Sequence, residues 1–190
     1  MTDSLGEILK IGELPVLEEA TLVLAFSGWM DGGDVSTGTV ERLVDLLDAT
    51  PVAEIDSEPF LIYSFPGSME LAALFRPHIE IEDGLTKTIE MPSNTFYCHR
   101  AGNLFLFLGK EPNLRWKTFG RCILDFARRA NVTRILFVGS FGGSVPHTRE
   151  PRLYTTCSDA ELLPEMESYG VRRSNYKGPG SFTSYLMTRA

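Results

Sequence analysis

The 190-residue chain lacks the features that mark nucleic-acid-binding, secreted or membrane-spanning proteins. Its 18 Lys and Arg residues are outnumbered by 25 Asp and Glu residues, which gives a formal charge of −7, so no basic excess is present to displace counterions from a phosphate backbone. The three cysteines, Cys98, Cys122 and Cys157, form no CxxC pair, which is typical of a reducing compartment. The apolar runs at residues 22–26, 104–108 and 135–138 are far shorter than the roughly 18 residues of a membrane span. We therefore predict a cytoplasmic protein that binds neither nucleic acid nor membrane.

What the sequence does contain is the composition of a globular domain. Hydrophobic residues make up 43% and charged residues 23% of the chain, which is near the average for folded proteins. The length is close to that of one domain of roughly 150 residues. We therefore predict a single α/β domain over residues 1–190.

Strands and helices alternate along this domain. The apolar run at residues 22–26 is typical of a strand buried on both faces, and the apolar residues from 40 to 47 recur with the period of a helix. Predicted strands occupy residues 22–26, 51–55, 60–63, 95–98, 104–108 and 134–138, and predicted helices occupy residues 34–47, 69–75, 114–130, 159–167 and 181–187. This order predicts a three-layer α/β/α fold around a mostly parallel sheet. Turn-forming residues between 79 and 94 predict an excursion from that sheet.

The first candidate site is the glycine-rich segment at residues 27–34, directly after the first buried strand. In open α/β sheets, ligands bind beyond the carboxyl ends of the strands. Gly28 allows a positive φ or a close backbone approach, and Trp29 lies beside it. Asp31 and Asp34 are interpreted either as caps of the following helix or as ligands for a cation or a substrate hydroxyl.

The second candidate site is the segment at residues 139–150, after the predicted strand at 134–138. Ser140 supplies a hydroxyl, and His147, Thr148 and Arg149 follow within one turn of chain. A histidine beside an arginine is suited to anion binding or to acid/base work. The alternative is that Arg149 forms only a surface ion pair with Glu150.

The third candidate site is the segment at residues 175–181, which contains Tyr176, Gly178 and Gly180 and precedes the last predicted helix. Backbone amides at the start of a helix favour an anion, whereas the plainer interpretation is a loop and a helix cap. None of the three segments has the Walker A or GxGxxG pattern, and the histidines and cysteines do not have zinc-ligand spacing. We therefore predict no cofactor and no metal.

Several short motifs in this order resemble the proteasome assembly chaperone 2 family, in particular its bacterial and archaeal members. They are Gly28-Trp29 with Asp31 and Gly33, Arg76-Pro77, the segment 109–116 (GKEPNLRW), the segment 145–149 (VPHTR) and the segment 176–179 (YKGP). The resemblance runs from the first buried strand to the end of the sequence. It implies a phosphorylase/hydrolase-like α/β/α fold, and self-association or pairing with a relative.

The resemblance also implies a function by protein–protein interaction. Eukaryotic relatives chaperone the assembly of proteasome α subunits, so the expected partners are a second copy and proteasome-like subunits. Some relatives dock through a C-terminal tail of a hydrophobic residue, Tyr and any residue, which residues 187–190 do not have. Either this protein does not dock in that way or, as we expect, the chain is truncated at its C-terminus. The alternatives are a small-molecule enzyme of nucleoside phosphorylase/hydrolase-like type, and an ATP-dependent carboxylate-amine ligase.

Overall fold

The apolar run at residues 22–26 becomes a strand of a six-stranded sheet in the computed structural model, which describes residues 5–143 and 145–189. The strands are β1 (Leu9–Ile11), β2 (Ala20–Ser27), β3 (Thr50–Ile55), β4 (His78–Glu82), β5 (Leu85–Glu90), β6 (Thr95–His99), β7 (Leu104–Lys110), β8 (Val132–Phe137), β9 (Tyr154–Thr155) and β10 (Arg172–Arg173). The helices are α1 (Leu5–Ile8), α2 (Val35–Leu46), α3 (Met69–Ala73), α4 (Trp116–Arg129), α5 (Leu163–Ser168) and α6 (Phe182–Met187). The chain divides into two compact units, one ending at Ser140 and one beginning at Phe141. The prediction of a single domain over residues 1–190 stays a prediction.

The main sheet has the strand order β1-β3-β6-β7-β2-β8. Strand β2 pairs in parallel with β7 and β8, whereas the pairs β6–β7, β3–β6 and β1–β3 are antiparallel. It follows that β3, β7, β2 and β8 all run in one direction. The antiparallel pair β6–β7 follows from the short turn around Asn103, because parallel neighbours need a long crossover. The sheet is thus mixed, and its parallel pairs lie on the side of β8.

Helices cover both faces of this sheet, which confirms the predicted α/β fold. Residues 22, 24 and 26 of β2 lie on the face that α4 covers, where the rings of Phe26 and Phe119 are 6.3 Å apart. On the opposite face, Val23 and Ala25 of β2 pack with Val40 of α2. Successive side chains of a strand point to opposite faces of the sheet, so the continuous apolar run of β2 supplies apolar side chains to both α4 and α2.

Phenylalanines fill the layer between the sheet and α4. The Phe96 and Phe126 rings stack with centroids 3.8 Å apart, and Phe60 meets Phe119 edge-on at 4.9 Å. The fully buried phenylalanines of this layer are Phe60, Phe96, Phe105, Phe107, Phe119 and Phe126. Such aromatic pairs contribute about 0.5–1.5 kcal/mol beyond the apolar area that they bury.

The prediction of a strand at residues 60–63 is wrong. The carbonyl of Phe60 accepts hydrogen bonds from the amides of Asn113 and Leu114, and the Ile62 amide donates to the Asn113 side chain at 3.1 Å. The segment therefore bonds to the loop before α4 instead of a neighbouring strand. Its apolar character reflects the burial of Phe60 in the aromatic layer.

The predicted excursion exists and forms a separate two-stranded hairpin of β4 and β5. It follows α3, whose first turn is capped by Ser68, with the Leu71 amide donating to Oγ at 3.4 Å. The turn at Asp83-Gly84 has φ values of 51° and 76°, the left-handed conformation that Asp and Gly tolerate. Every residue of both strands is exposed.

The second unit is built from short elements. Strands β9 and β10 pair in parallel, and Arg173 forms an ion pair with Glu167 at 2.6 Å. Asp159 caps the helical turn before α5 through the Glu161 amide at 2.9 Å, and Gly170 follows α5 with φ of 76°. Among residues 5–143 and 145–189, no helix combines the length and the apolar character that a membrane span requires.

Candidate functional site

The candidate site lies at the edge of the main sheet where the parallel strands β7, β2 and β8 end. These strands are neighbours and run in one direction, so the loops at their carboxyl ends lie side by side, where open α/β sheets bind ligands. Glu111 follows β7, residues 28–34 follow β2, and Ser140 follows β8. We call these residues the rim.

Asp31 is bound to the first turn of α2 through both carboxylate oxygens. Its Oδ1 accepts hydrogen bonds from the backbone amides of Ser36 at 2.7 Å and Thr37 at 3.1 Å, and its Oδ2 accepts from the Thr37 hydroxyl at 2.8 Å. These contacts satisfy amides that a helix leaves without internal partners, and they place negative charge at the positive end of the helix. The geometry therefore matches the interpretation of Asp31 as a helix cap.

Glu111 closes the rim from the side of β7. Its Oε2 accepts a hydrogen bond from the Trp29 amide at 2.8 Å, and its own amide donates to the Ser27 carbonyl at 3.0 Å. Gly28 has φ of 149°, and a Cβ at this position would lie 2.8 Å from both Cβ and Oε2 of Glu111. Glycine is thus required here both for the backbone conformation and for the approach of Glu111. The Trp29 side chain, in contrast, is 62% exposed.

Ser140 joins the loop after β8 to the loop after β2. The Ser140 amide donates to the Met30 carbonyl at 2.8 Å, and its hydroxyl donates to the Gly32 carbonyl at 2.6 Å. A parallel bridge pairs Ser140 with Asp31. The rim therefore brings Asp31 and Ser140 together from positions more than 100 residues apart in sequence, as the arrangement of parallel strands predicts.

Asp34 differs from Asp31 although both precede α2. Asp34 is exposed, has φ of 55° and makes no side-chain hydrogen bond that caps the helix. Gly33, beside it, has φ of 65°. The alternative between Asp31 and Asp34 as the cap is thus decided by the backbone, which turns left-handed at Asp34 and presents Asp31 to the free amides.

Lys110, the last residue of β7, connects the rim with the segment before the hairpin. Its amide donates to Asn94 Oδ1 at 3.0 Å, and its Nζ donates to the Leu74 carbonyl at 3.3 Å. Burial lowers the pKa of the Lys110 ammonium, because removal from water disfavours the charged form. The chain after α3 is therefore attached to the sheet by a partly desolvated cation.

The second candidate segment continues from Ser140 into the second unit. His147, Thr148 and Arg149 are exposed there, and the Arg149 amide donates to the Pro146 carbonyl at 3.0 Å, which closes a turn. The role of these three residues in anion binding or acid/base chemistry stays a prediction.

The third candidate segment also lies in the second unit. Tyr176 and Gly178 are exposed, and the Tyr176 hydroxyl donates to the Pro179 carbonyl at 3.0 Å. A Cβ at Gly178 would collide with that hydroxyl, whereas Gly180 has open space at this position. Ser181 caps α6 through the Ser184 amide at 3.1 Å. The cap is present, and the anion site stays a prediction.

The sequence did not predict a role for Glu111 of the rim or for its neighbour Lys110. Both lie within the motif at residues 109–116, but a Lys-Glu pair followed by proline is also typical of an ordinary surface turn, so the local sequence does not indicate a functional role. Their position at the end of a strand that neighbours β2 gives them their contacts, and strand order is a tertiary property. Within the described part of the chain, no three His, Cys, Asp or Glu side chains come together in a way that could hold a metal ion.

The chain is similar in sequence and in structure to proteins of one family. Residues 25–190 match the profile of the PAC2 family. A PAC2 family protein from Streptomyces avermitilis has 26% sequence identity and a TM-score of 0.72 over 90% of this chain and 69% of its own. A proteasome-assembly chaperone homologue from Mycobacterium tuberculosis has 28% identity and a TM-score of 0.72 over 87% of this chain and 67% of its own.

A more distant structure shares the fold. An archaeal proteasome activator from Pyrococcus furiosus has 17% identity and a TM-score of 0.62, over 95% of this chain and 75% of its own. Among curated proteins, the chain has no match.

Proposed function

The chain belongs to the PAC2 family, and on that premise we propose that it is a chaperone-like assembly factor that works by binding other proteins. The observation that carries this proposal is the match of residues 25–190 to the family, together with the similarity to the mycobacterial proteasome-assembly chaperone homologue. By that similarity, the partners are proteasome-like subunits. The cytoplasm is the proposed location, which the three free cysteines support.

The geometry of the rim supports binding over catalysis. Asp31 is committed to the α2 amides, Glu111 to the Trp29 amide, and the Ser140 hydroxyl to the Gly32 carbonyl. A catalytic acid, base or nucleophile must reach the substrate with its reactive atom. In the rim these atoms are used to hold three loops together, so the rim acts as a rigid support that presents the exposed Trp29 indole.

Self-association is the second part of the proposal. Large apolar side chains such as Met69, Leu74 and Ile81 are 86%, 70% and 62% exposed, and exposed apolar clusters mark interaction surfaces. A homo-oligomer would cover part of this surface and present the remainder to a partner.

The test is co-purification with defined partners. The tagged chain is expressed together with proteasome α-type and β-type subunits from the genome that encodes it, and complexes are measured by light scattering after size exclusion. We expect a stoichiometric complex with at least one subunit type or an increased yield of assembled particles. A chain that elutes apart from every subunit and leaves the yield unchanged contradicts the proposal.

A thermal-shift experiment tests the enzymatic alternatives. Phosphate, nucleosides and nucleotides are added separately, because a ligand present at 100 times its dissociation constant stabilises the folded state by about 2.7 kcal/mol. We expect no shift. A clear shift with a nucleoside or with ATP would instead favour a phosphorylase-like or ligase-like enzyme.

A further inference from the structure

The outer surface of α4 is basic, although the chain as a whole is acidic. Residues 116–129 contain four Lys or Arg residues and one Asp, whereas the chain carries a formal charge of −7. Helix α2, which covers the opposite face of the same sheet, contains two acidic residues and one Arg. Solubility does not explain the basic surface of α4, because the acidic charge of the rest of the chain already supplies a net charge far from zero.

Three of the arginines at the two ends of α4 are explained by the fold. Arg128 and Arg129 form ion pairs with Asp125 at 3.1 and 2.8 Å, and they lie in the last turn, where the helix dipole favours positive charge. Arg115, directly before the helix, has its guanidinium carbon 5.8 Å from the centroid of the Phe60 ring. These three arginines therefore have partners within the protein.

Lys117 and Arg121, in contrast, lie where their charges weaken the helix. Both residues are exposed, and neither side chain forms an ion pair or a hydrogen bond with another residue of the described part of the chain. Lys117 lies in the first turn of α4, where the helix dipole disfavours a cation. Arg121 follows four residues later, and like charges at this spacing repel each other. An anion bound by both side chains would reverse both unfavourable effects.

We infer that Lys117 and Arg121 bind the carboxylates of an acidic segment of a partner protein. Side chains four residues apart on a helix have Cβ atoms about 5–6 Å apart, so the two cations reach one carboxylate or two neighbouring ones. Arginine suits this role because its planar guanidinium forms two parallel hydrogen bonds with a carboxylate. The inference rests on the proposed function, since it takes the ligand to be a protein and names the chemistry of its contact.

A cleft at the C-terminal half of α4 extends this surface. Asp125 and Arg129 continue the row of Lys117 and Arg121 at four-residue spacing, and both line a cleft of about 430 Å³ between α4 and the chain from α1 to β1. Lys10 of β1 adds a further cation to its wall. The apolar side chains of the cleft are Leu5, Leu9 and Ile11. The surface therefore suits an acidic segment that also carries apolar residues.

A nucleic acid fits this surface less well than an acidic protein segment. Screening limits electrostatic attraction to about 8–10 Å at physiological salt, so a short acidic segment responds mainly to the basic row of α4. A nucleic acid strand carries a charge at every nucleotide and would extend beyond that row onto an acidic chain. The apolar side chains of the cleft also offer no contact that phosphates favour.

Fluorescence anisotropy tests the inference, with a labelled oligoglutamate peptide as the probe and a labelled oligothymidylate of the same length as the alternative ligand. The wild type is titrated at about 0.1 M salt, where the Debye length is about 10 Å, and at about 1 M salt, where it is about 3 Å. We expect oligoglutamate to bind at the lower salt concentration and not at the higher one, and oligothymidylate to bind more weakly. Arg121→Glu and Lys117→Glu are each expected to weaken peptide binding about tenfold, because a like charge replaces a binding cation.

The matched control is Arg42→Glu, which reverses the same charge at an exposed position of α2, on the opposite face of the sheet. It is expected to change the affinity by less than about twofold, because screening separates the two faces. Thermal denaturation of all three variants identifies any folding defect, and the two variants of α4 provide independent readings of the same surface.

Three results would overturn the inference: a wild type that does not bind oligoglutamate, equal weakening by Arg121→Glu and Arg42→Glu, or tighter binding of oligothymidylate than of oligoglutamate. Failure here is distinct from failure of the proposed function. A complex with proteasome subunits that Arg121→Glu leaves intact refutes only the binding surface on α4, whereas a chain that binds oligoglutamate but no subunit contradicts only the proposed function.

Discussion

The main sheet and the β4–β5 hairpin both carry branched apolar residues on their strands, but the two regions use these residues differently. In β2 the two faces are covered by α4 and α2, and Leu22, Leu24 and Ala25 are at most 1% exposed. In the hairpin, apolar and polar residues alternate, and the isoleucines are about half exposed. Apolar residues in the sheet stabilise the fold, whereas we attribute those in the hairpin to binding. The continuous apolar run of β2 already predicts a strand buried on both faces, whereas the alternation in the hairpin predicts one apolar face and does not say what covers it.

The largest loss of stability is expected from the removal of a buried aromatic ring between the main sheet and α4. Phe119→Ala deletes a fully buried side chain that contacts the rings of Phe26 and Phe60. Large cavities of this kind cost about 3–5 kcal/mol, so the midpoint of urea denaturation falls steeply. Phe119→Leu, which keeps most of the volume, serves as the control and loses less. A loss below that of an ordinary surface substitution would mean that α4 does not cover the sheet as described.

A second contrast is expected in the pH dependence of stability. Burial against the sheet raises the pKa of the Cys122 thiol to about 11, above its ordinary value near 9, because a thiolate would be desolvated. As the pH rises, the Cys122 thiol is therefore deprotonated in the unfolded chain before it is deprotonated in the folded protein. The free energy of unfolding falls between about pH 9 and pH 11, by up to about 2–3 kcal/mol, because each pKa unit corresponds to 1.36 kcal/mol. The measurement compares urea denaturation of the wild type and Cys122→Ala across this range. Parallel pH profiles for the two proteins would contradict the burial of this thiol.

Removal of the Asp31 carboxylate from the rim is expected to have an intermediate effect on the stability of the fold. Asp31→Ala removes three hydrogen bonds to the start of α2, and loss of a helix cap costs about 0.5–2 kcal/mol. The matched variant Asp34→Gly removes a side chain without a capping bond and relieves a left-handed φ, so its stability is unchanged or slightly higher. Thermal denaturation of both variants distinguishes them. Equal destabilisation of the two would show that Asp31 is not the cap.

The smallest effect on stability is expected in the hairpin. Ile89→Ser changes a side chain that is 56% exposed, and surface substitutions of this kind change stability by no more than about 0.5 kcal/mol. Urea denaturation at a concentration too low for self-association is the measurement, because a dimer contact would add its own contribution. A loss of stability comparable to that of Phe119→Ala would show that the hairpin is part of the core, in the same way as the main sheet.

Local patterns predicted most of the elements. The strands at β2, β6, β7 and β8 and the helices α2 and α4 follow the predicted positions within a few residues, because an uninterrupted apolar run and a 3.6-residue period are local signals. The prediction of a strand at residues 60–63 was wrong because the apolar character of this segment has a tertiary cause. Phe60 is apolar because it fills the aromatic layer, and its backbone bonds to residues more than 50 positions away.

The candidate site was predicted only in part. Gly28 and Asp31 were selected because a glycine and a carboxylate after a buried strand have a recognisable local role. Glu111 was missed, since its contact with the Trp29 amide spans 82 residues.

The sequence by itself determined most of the strands and helices, including β2, β7, α2 and α4, and the acidic charge of the chain. These follow from backbone sterics, hydrophobic period and side-chain charge, all of which act over a few residues. The tertiary structure alone decided what covers each apolar face of the main sheet and which loops meet at the rim. Those outcomes depend on strand order, because burial and hydrogen bonding across the sheet join residues that the chain itself holds far apart.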